Sequence, residues 1–210
     1  RSDAESEING MGPVIRKEDL ELLYEQLDTL KDDDVLVLAG SIPSGMPQSI
    51  YRDIMSRLQS KRIKIAVDAT KDLLMNVLAY HPFVIKPNNH ELSEIFDIMI
   101  DSKEKAVVYA KELQKKGAQN VIVSMAGEGA VFVGSDGSVF TSEAPHGVVK
   151  NSVGAGDSMV AGFLAGYLAK GDYAEAFKMG LCTGSASAFS DQLATREEVE
   201  QVRRSHIFDF

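Results

Sequence analysis

Val35-Leu36-Val37-Leu38-Ala39 is followed by Gln48–Ser60, apolar at three- and four-residue spacing, and then by Ile63-Lys64-Ile65-Ala66-Val67. An apolar run of strand length, a stretch of helical period and a second apolar run predict a strand–helix–strand unit. The alternation continues outward. Glu18–Leu30 has helical spacing upstream; downstream come Lys71–Leu78, the short run Phe83–Ile85, Lys103–Lys116 and the strand Asn120–Ser124. The strands are dense in Val and Ile, as strands covered on both faces are. Repeated in this way, the pattern predicts an α/β domain with a mostly parallel sheet and right-handed crossovers.

After Asn120 the grammar changes. Val121–Ser124, Ala130–Val133 and Val139–Thr141 are joined by Gly127-Glu128-Gly129 and Ser135-Asp136-Gly137. Short strands with glycine-containing turns predict an antiparallel meander. From Gly154 the chain is helical, over Ala155–Lys170, Tyr173–Asp191 and Arg196–Arg204. No repeat or linker interrupts it, so residues 1–210 read as one domain.

Charge and cysteine usage narrow the function. With 22 Lys and Arg against 31 Asp and Glu, the net charge is −9, which argues against a broad nucleic-acid surface, since phosphate backbones require clustered cations. A small phosphate needs only a local positive field. A single cysteine, Cys182, excludes an internal disulfide and fits a reducing compartment. No apolar run reaches the ~18 residues of a membrane span, and the opening residues do not form a signal peptide. The expectation is a cytoplasmic protein with no membrane partner.

The chemistry concentrates in Asn151-Ser152-Val153-Gly154-Ala155-Gly156-Asp157-Ser158, which leads into a long helix. Two glycines and an alanine at a helix start leave backbone N–H groups approachable, and the helix dipole adds partial positive charge there. Asp157 follows in the first turn. Phosphoryl transfer needs positive potential on the transferred group and an acceptor for the attacking hydroxyl's proton. The N–H groups of Gly154, Ala155 and Gly156 could supply the first and Asp157 the second, chiefly by orienting the hydroxyl. The alternative is that the glycines permit close packing and Asp157 merely complements the dipole.

Other segments allow two readings each. Asn88 and Glu91, three apart at a helix start, are oxygen donors suited to Mg²⁺ or the two halves of a capping box. Lys86 ends an apolar strand, where open parallel sheets place ligands. Gly40-Ser41 also follows a strand and could be an ordinary turn; Ser124 could be only a strand-end hydroxyl. Asp68 either joins a metal network or caps the next helix, and the cap is favoured. Gly127-Glu128-Gly129 leads into another strand, so it is no dinucleotide fingerprint. His81, His90, His146 and His206 show no metal-ligand spacing with Cys182 and read as surface or turn residues. Asp32-Asp33-Asp34 reads as a solvated loop.

Val153-Gly154-Ala155-Gly156-Asp157-Ser158 opening a long helix resembles the signature of the PfkB/ribokinase family of carbohydrate kinases. Four further segments match in the family's order: Glu5–Asn9 with the end of a lid segment, Ala39–Gly45 with G-S-x-P-x-G, Lys86–Glu91 with K-P-N-x-x-E, and Ser124–Ala130 with S-x-G-x-x-G-A. In the last, Ala126 stands where glycine is frequent. The resemblance implies a ribokinase-like three-layer α/β/α fold and an ATP-dependent kinase requiring Mg²⁺. Position by position, it implies Asp157 as catalytic base and Gly154, Ala155 and Gly156 as anion hole. Lys86 would face the phosphates, Asn88 and Glu91 would organise the metal, and Asn88, Ser124, Gly127 and Gly129 would serve the nucleotide. Gly40 and Ser41 would meet a sugar-phosphate acceptor. Residues 1–12 would end the lid, and a homodimer is the family expectation.

Gly147–Lys150 and Ser185–Ser190 resemble the branch acting on fructose 1-phosphate, with a tagatose 6-phosphate branch as rival. Family members begin with a longer stretch that carries further strands and part of the lid. The chain is therefore expected to be the C-terminal larger part of the kinase domain, with weak or no activity alone. A non-catalytic nucleotide-binding module is the alternative reading.

Overall fold

The computed structural model describes residues 12–43 and 45–210. Six strands form one sheet in chain order: β1 (Val35–Ala39), β2 (Lys64–Asp68), β3 (Val84–Ile85), β4 (Asn120–Ser124), β5 (Ala130–Val133) and β6 (Val139–Ser142). β1 to β4 are parallel, whereas β5 and β6 fold back antiparallel as a meander. Parallel neighbours require crossovers. α2 (Ile50–Leu58) joins β1 to β2, α3 (Lys71–Met75) lies between β2 and β3, and α4 (Asn89–Phe96) with α5 (Lys103–Lys115) connects β3 to β4. α1 (Lys17–Asp28) precedes the sheet, and α6 (Ala155–Lys170), α7 (Tyr173–Phe189) and α8 (Arg196–Ser205) follow it.

Because strand side chains alternate between faces, the sheet builds two cores. Leu38, Ile65, Val67, Ile85, Val121 and Val133 pack with helices on one face. Ala66, Val84, Ile122 and Phe132 pack against Met159, Phe163, Phe177 and Leu181 of α6 and α7 on the other. The architecture is the expected ribokinase-like three-layer α/β/α. Buried Asn120 stays satisfied: its amide donates to Phe83 O at 2.6 Å and its carbonyl accepts from Ser135 N–H at 3.0 Å.

Several boundaries and one exposure differ from the sequence reading. The strand read as Ile63–Val67 shifts one residue and takes in Asp68. The helix read as Lys71–Leu78 stops at Met75, and a 3₁₀ turn over Leu78–Tyr80 follows, closed by His81 at φ 54°. The helix read to Asp191 ends at Phe189 because Ser190 is extended. β1 has the composition of a strand covered on both faces; it is the edge of the described sheet, and Val37 is 46% exposed. Among the described elements, β1 reaches the core under α6 and α7 only through Val35. The segment Glu5–Asn9 lies outside the described residues. Among those described, no helix is long and apolar enough to cross a membrane.

The C-terminal residues close over the meander. Phe210 stacks on Phe140 with centroids 4.9 Å apart, and Lys178 lies over the rings of Phe208 and Phe210. His206 Nε2 is 3.1 Å from Ser142 Oγ.

Phe132 contacts Phe140, Phe163, Tyr173 and Phe177, each with centroids within 6 Å. Phe132→Ala is expected to cost about 3–5 kcal/mol, read as a lower urea midpoint with an unchanged slope. Burial, and then the charge of His146, hold the His206 imidazole below its ordinary pKa, against Asp209 and Glu143. Between the folded and unfolded values the folded state binds fewer protons, so stability falls as pH drops through that window. The thermal midpoint should therefore fall more between about pH 7 and 5.5 in the wild type than in His206→Gln.

Candidate active site

The turn before α6 is held from behind. The N–H groups of Lys150 and Asn151 donate to Ala188 O, at the end of α7, at 2.8 and 3.2 Å. The Asn151 side chain then accepts from Val153 N–H at 3.0 Å. Gly154 is the N-cap of α6 at φ 79°, in the left-handed region that glycine enters without a Cβ penalty. Among the described residues no side chain caps the helix. Ala155 N–H donates to Ser152 O at 3.2 Å, while those of Gly156 and Asp157 make no backbone hydrogen bond among the described residues. Unsatisfied first-turn donors at a positive dipole end attract anions.

Two cavities flank this turn. One, of about 660 Å³, brings together Asn88, Ser124, Gly127, Gly129, Ala155 and Gly156, and is walled by Met159, Leu181 and Phe189. The other, of about 260 Å³, is bounded by Gly40, Asp68, Asp157, Val37 and Val160. Lys86 lies between them: a Cβ on Gly156 would sit 3.1 Å from its Nζ. Gly40 is anchored by its N–H on Asp68 O at 3.1 Å, and Tyr51 Oη donates to Ala39 O at 2.7 Å. Ser41 is exposed in the loop beyond β1 and lines neither cavity.

The strand ends aim the remaining groups. Ser124 closes β4, and its N–H donates to Pro87 O at 3.1 Å. Gly129 is glycine for a local reason, since a Cβ there would lie 2.0 Å from Ser142 O at φ 90°. Asn88 and Glu91 form a reciprocal capping box on α4. Asn88 Oδ1 accepts from Glu91 N–H and Glu91 Oε2 from Asn88 N–H, both at 2.8 Å. Burial raises the Glu91 carboxyl, opposed by the Asn88 N–H and then by Lys86.

That box engages one oxygen of each side chain and leaves the second oxygen of Glu91 without a hydrogen bond to the described residues. Among them, no three acidic, histidine or cysteine side chains converge as a closed cage. A sparse set of hard oxygen donors beside an anion site fits Mg²⁺, which keeps several waters and binds through few carboxylates.

Asp68 departs from the sequence reading. The N-cap of α3 is Thr70, and Asp68 instead pairs with Lys86 at 3.3 Å, the two side chains 17% and 7% exposed. The cap reading fails because β2 runs through Asp68, which leaves Thr70 as the residue before α3. His90 and His146, read as surface or turn residues, line the larger cavity. Sequence reasoning also missed Phe189, Leu181 and Gly184 as its wall. Only the packing of α7 on α6 brings them there; Phe189 lay within the Ser185–Ser190 resemblance but was not read as a cavity wall.

If the capping box is the resting role of Asn88, Asn88→Ala should lower stability by about 1 kcal/mol in the presence of a chelator. Chemical denaturation without nucleotide checks this.

The chain is 45% identical over 198 residues to the 1-phosphofructokinase of Bacillus subtilis, covering 94% of this chain and 65% of the relative. It is 28% identical over 201 residues to the D-tagatose-1-phosphate kinase of Bacillus licheniformis, covering 95% of this chain and 66% of the relative. The crystal structure of phosphofructokinase-2 from Escherichia coli in complex with fructose-6-phosphate superimposes with a TM-score of 0.82 at 26% identity, over 91% of this chain and 62% of that one. The chain thus spans about two thirds of the length of its relatives. Residues 1–198 match the pfkB family of carbohydrate kinases, and the chain belongs to that family.

Proposed function

We propose that this chain carries the phosphotransfer machinery of an ATP-dependent kinase converting fructose 1-phosphate to fructose 1,6-bisphosphate. The observation that carries the reading is the pair of cavities meeting at the 154–157 turn, with Gly156 on the wall of the larger and Asp157 on the wall of the smaller. A nucleotide in the larger cavity would present its terminal phosphate to the free N–H groups of Gly156 and Asp157. A sugar phosphate near Gly40 would bring its C6 hydroxyl to Asp157.

The hydroxyl oxygen then forms a bond to the γ-phosphorus while the bond to the β-bridging oxygen breaks. The hydroxyl proton passes to the Asp157 carboxylate, and the electron pair leaves with ADP. Donors already aimed at the developing charge need no reorganisation during transfer. Lys86 adds a fixed positive charge beneath the turn. Asn88 and Glu91 would hold Mg²⁺ and its waters, and the ion, when bound, neutralises charge on the nucleotide phosphates.

A further acceptor stands beside the tagatose 6-phosphate read from the sequence: a relative is named for tagatose 1-phosphate. Fructose 1-phosphate and tagatose 1-phosphate are both ketohexose 1-phosphates with the same free C6 hydroxyl. The higher identity to the fructose-directed relative, 45% against 28%, favours fructose 1-phosphate.

The test is ATP consumption with Mg²⁺ by the full-length natural protein on fructose 1-phosphate, tagatose 1-phosphate and fructose 6-phosphate. A kcat/KM highest for fructose 1-phosphate supports the proposal, and a preference for either other sugar keeps the mechanism but corrects the substrate. Asp157→Asn should lower kcat about 10³-fold while ATP binding, measured by calorimetry, persists. An Asp157→Asn enzyme with wild-type turnover would overturn the assigned role.

A further inference from the structure

We propose that Asp68 is a positioning residue, which locks the Lys86 ammonium beneath the Gly156 backbone, between the two cavities. The inference rests on the phosphotransfer reading above and assigns a role to a residue outside the motifs that define it.

Geometry carries the argument. β2 and β3 are parallel neighbours with Val67 opposite Ile85, so the next residues, Asp68 and Lys86, emerge side by side at the carboxyl edge of the sheet. Their charged groups meet at 3.3 Å, and Asp68 is the ion-pair partner of Lys86 among the described residues. Both are largely buried, and a buried lysine requires a partner. The Asp68 carboxylate bounds the smaller cavity with Asp157 and Gly40 and is absent from the wall of the larger one. Gly156 rests directly on the pair, since a Cβ there would meet Lys86 Nζ at 3.1 Å and Asp68 Oδ2 at 4.0 Å.

The chemistry explains why such a carboxylate is useful. Lysine carries a compact charge on a flexible four-carbon stem, so an unpinned ammonium would be spread over many rotamers. A charge fixed in place before reaction stabilises the developing phosphoryl charge without reorganisation. Burial works against the ionised form of Asp68 and Lys86 favours it, while the charge of Asp157 works against it again. The carboxylate is thus held in a costly place facing its ammonium, and no helix end uses it.

A double-mutant cycle in the full-length protein tests this, with folding checked by circular dichroism. Asp68→Asn is expected to lower kcat at saturating substrates about 100-fold, with the KM for ATP and the Mg²⁺ concentration at half-maximal rate changing less than about threefold. Lys86→Met should lose at least as much, and Asp68→Asn/Lys86→Met should be no slower than Lys86→Met alone, because Asp68 acts through Lys86. Should Asp68→Asn not fold, the double variant removes both charges together and carries the comparison with Lys86→Met. Losses that multiply in the double variant overturn the proposal. A tenfold or larger shift in Mg²⁺ requirement does so too, since it would make Asp68 part of the metal site. A wild type that transfers phosphate to no sugar phosphate overturns the phosphotransfer reading and this proposal with it. An active wild type with multiplicative losses overturns this proposal alone.

Discussion

The close approach of α6 and α7 is the constraint from which the site follows. A Cβ on Gly162 would lie 2.7 Å from Met179 O, one on Gly166 2.9 Å from Glu175 O, one on Gly180 2.9 Å from Met159 O, and one on Gly184 3.0 Å from Ala155 O. Each helix therefore presents backbone where most helices present side chains. The contact is tightened by a buried hydrogen bond from Ser187 Oγ to Ser158 Oγ at 2.9 Å. The end of α7 also holds the loop before α6 through Ala188 O. The start of α6 is thereby fixed over the carboxyl edge of the parallel strands, where open sheets of this kind bind ligands.

Electrostatics then follow from placement. The positive end of α6 meets the ends of β2 and β3, which bring one cation, Lys86, and two carboxylates, Asp68 and Glu91, whose charges act on one another. Taking such charges out of water is expensive, and the cost is offset only by pairing and hydrogen bonds of good geometry. Here Asp68 pairs with Lys86, and Glu91 accepts from the backbone of Asn88. The free N–H groups of the helix start complete a positive surface that a phosphate could satisfy. A net charge of −9 does not oppose this, because the relevant field is local and enclosed.

Much of the fold was legible along the chain. β1, β4 and β5 fall where their apolar runs lie, and α6 spans Ala155–Lys170 as its pattern predicts. Period-two and period-3.6 patterns are local, and they survive folding because burial on sheet faces is what selected them. Boundaries moved where a local preference met a tertiary partner. Asp68 falls in β2, paired with Ala39 and with Lys86, although the sequence favoured it as the cap of the next helix. β1 has the composition of a doubly covered strand, yet that composition could not reveal which helices lie over it.

The candidate site divides along the same line. The sequence by itself determined the glycine turn that opens α6, the place of Asp157 in its first turn, and a spacing of Asn88 and Glu91 that fits a capping pair. Each of these depends on residues within a few positions of one another and on the fixed geometry of a helix start. Tertiary structure alone decided that Asp68 meets Lys86, that Phe189 and Leu181 wall the larger cavity, and that Ser41 stands outside both. Those facts join residues far apart in the chain, brought together by strand order and by the glycine-lined contact of two helices. No local pattern encodes such meetings, because the energy that fixes them comes from packing between elements.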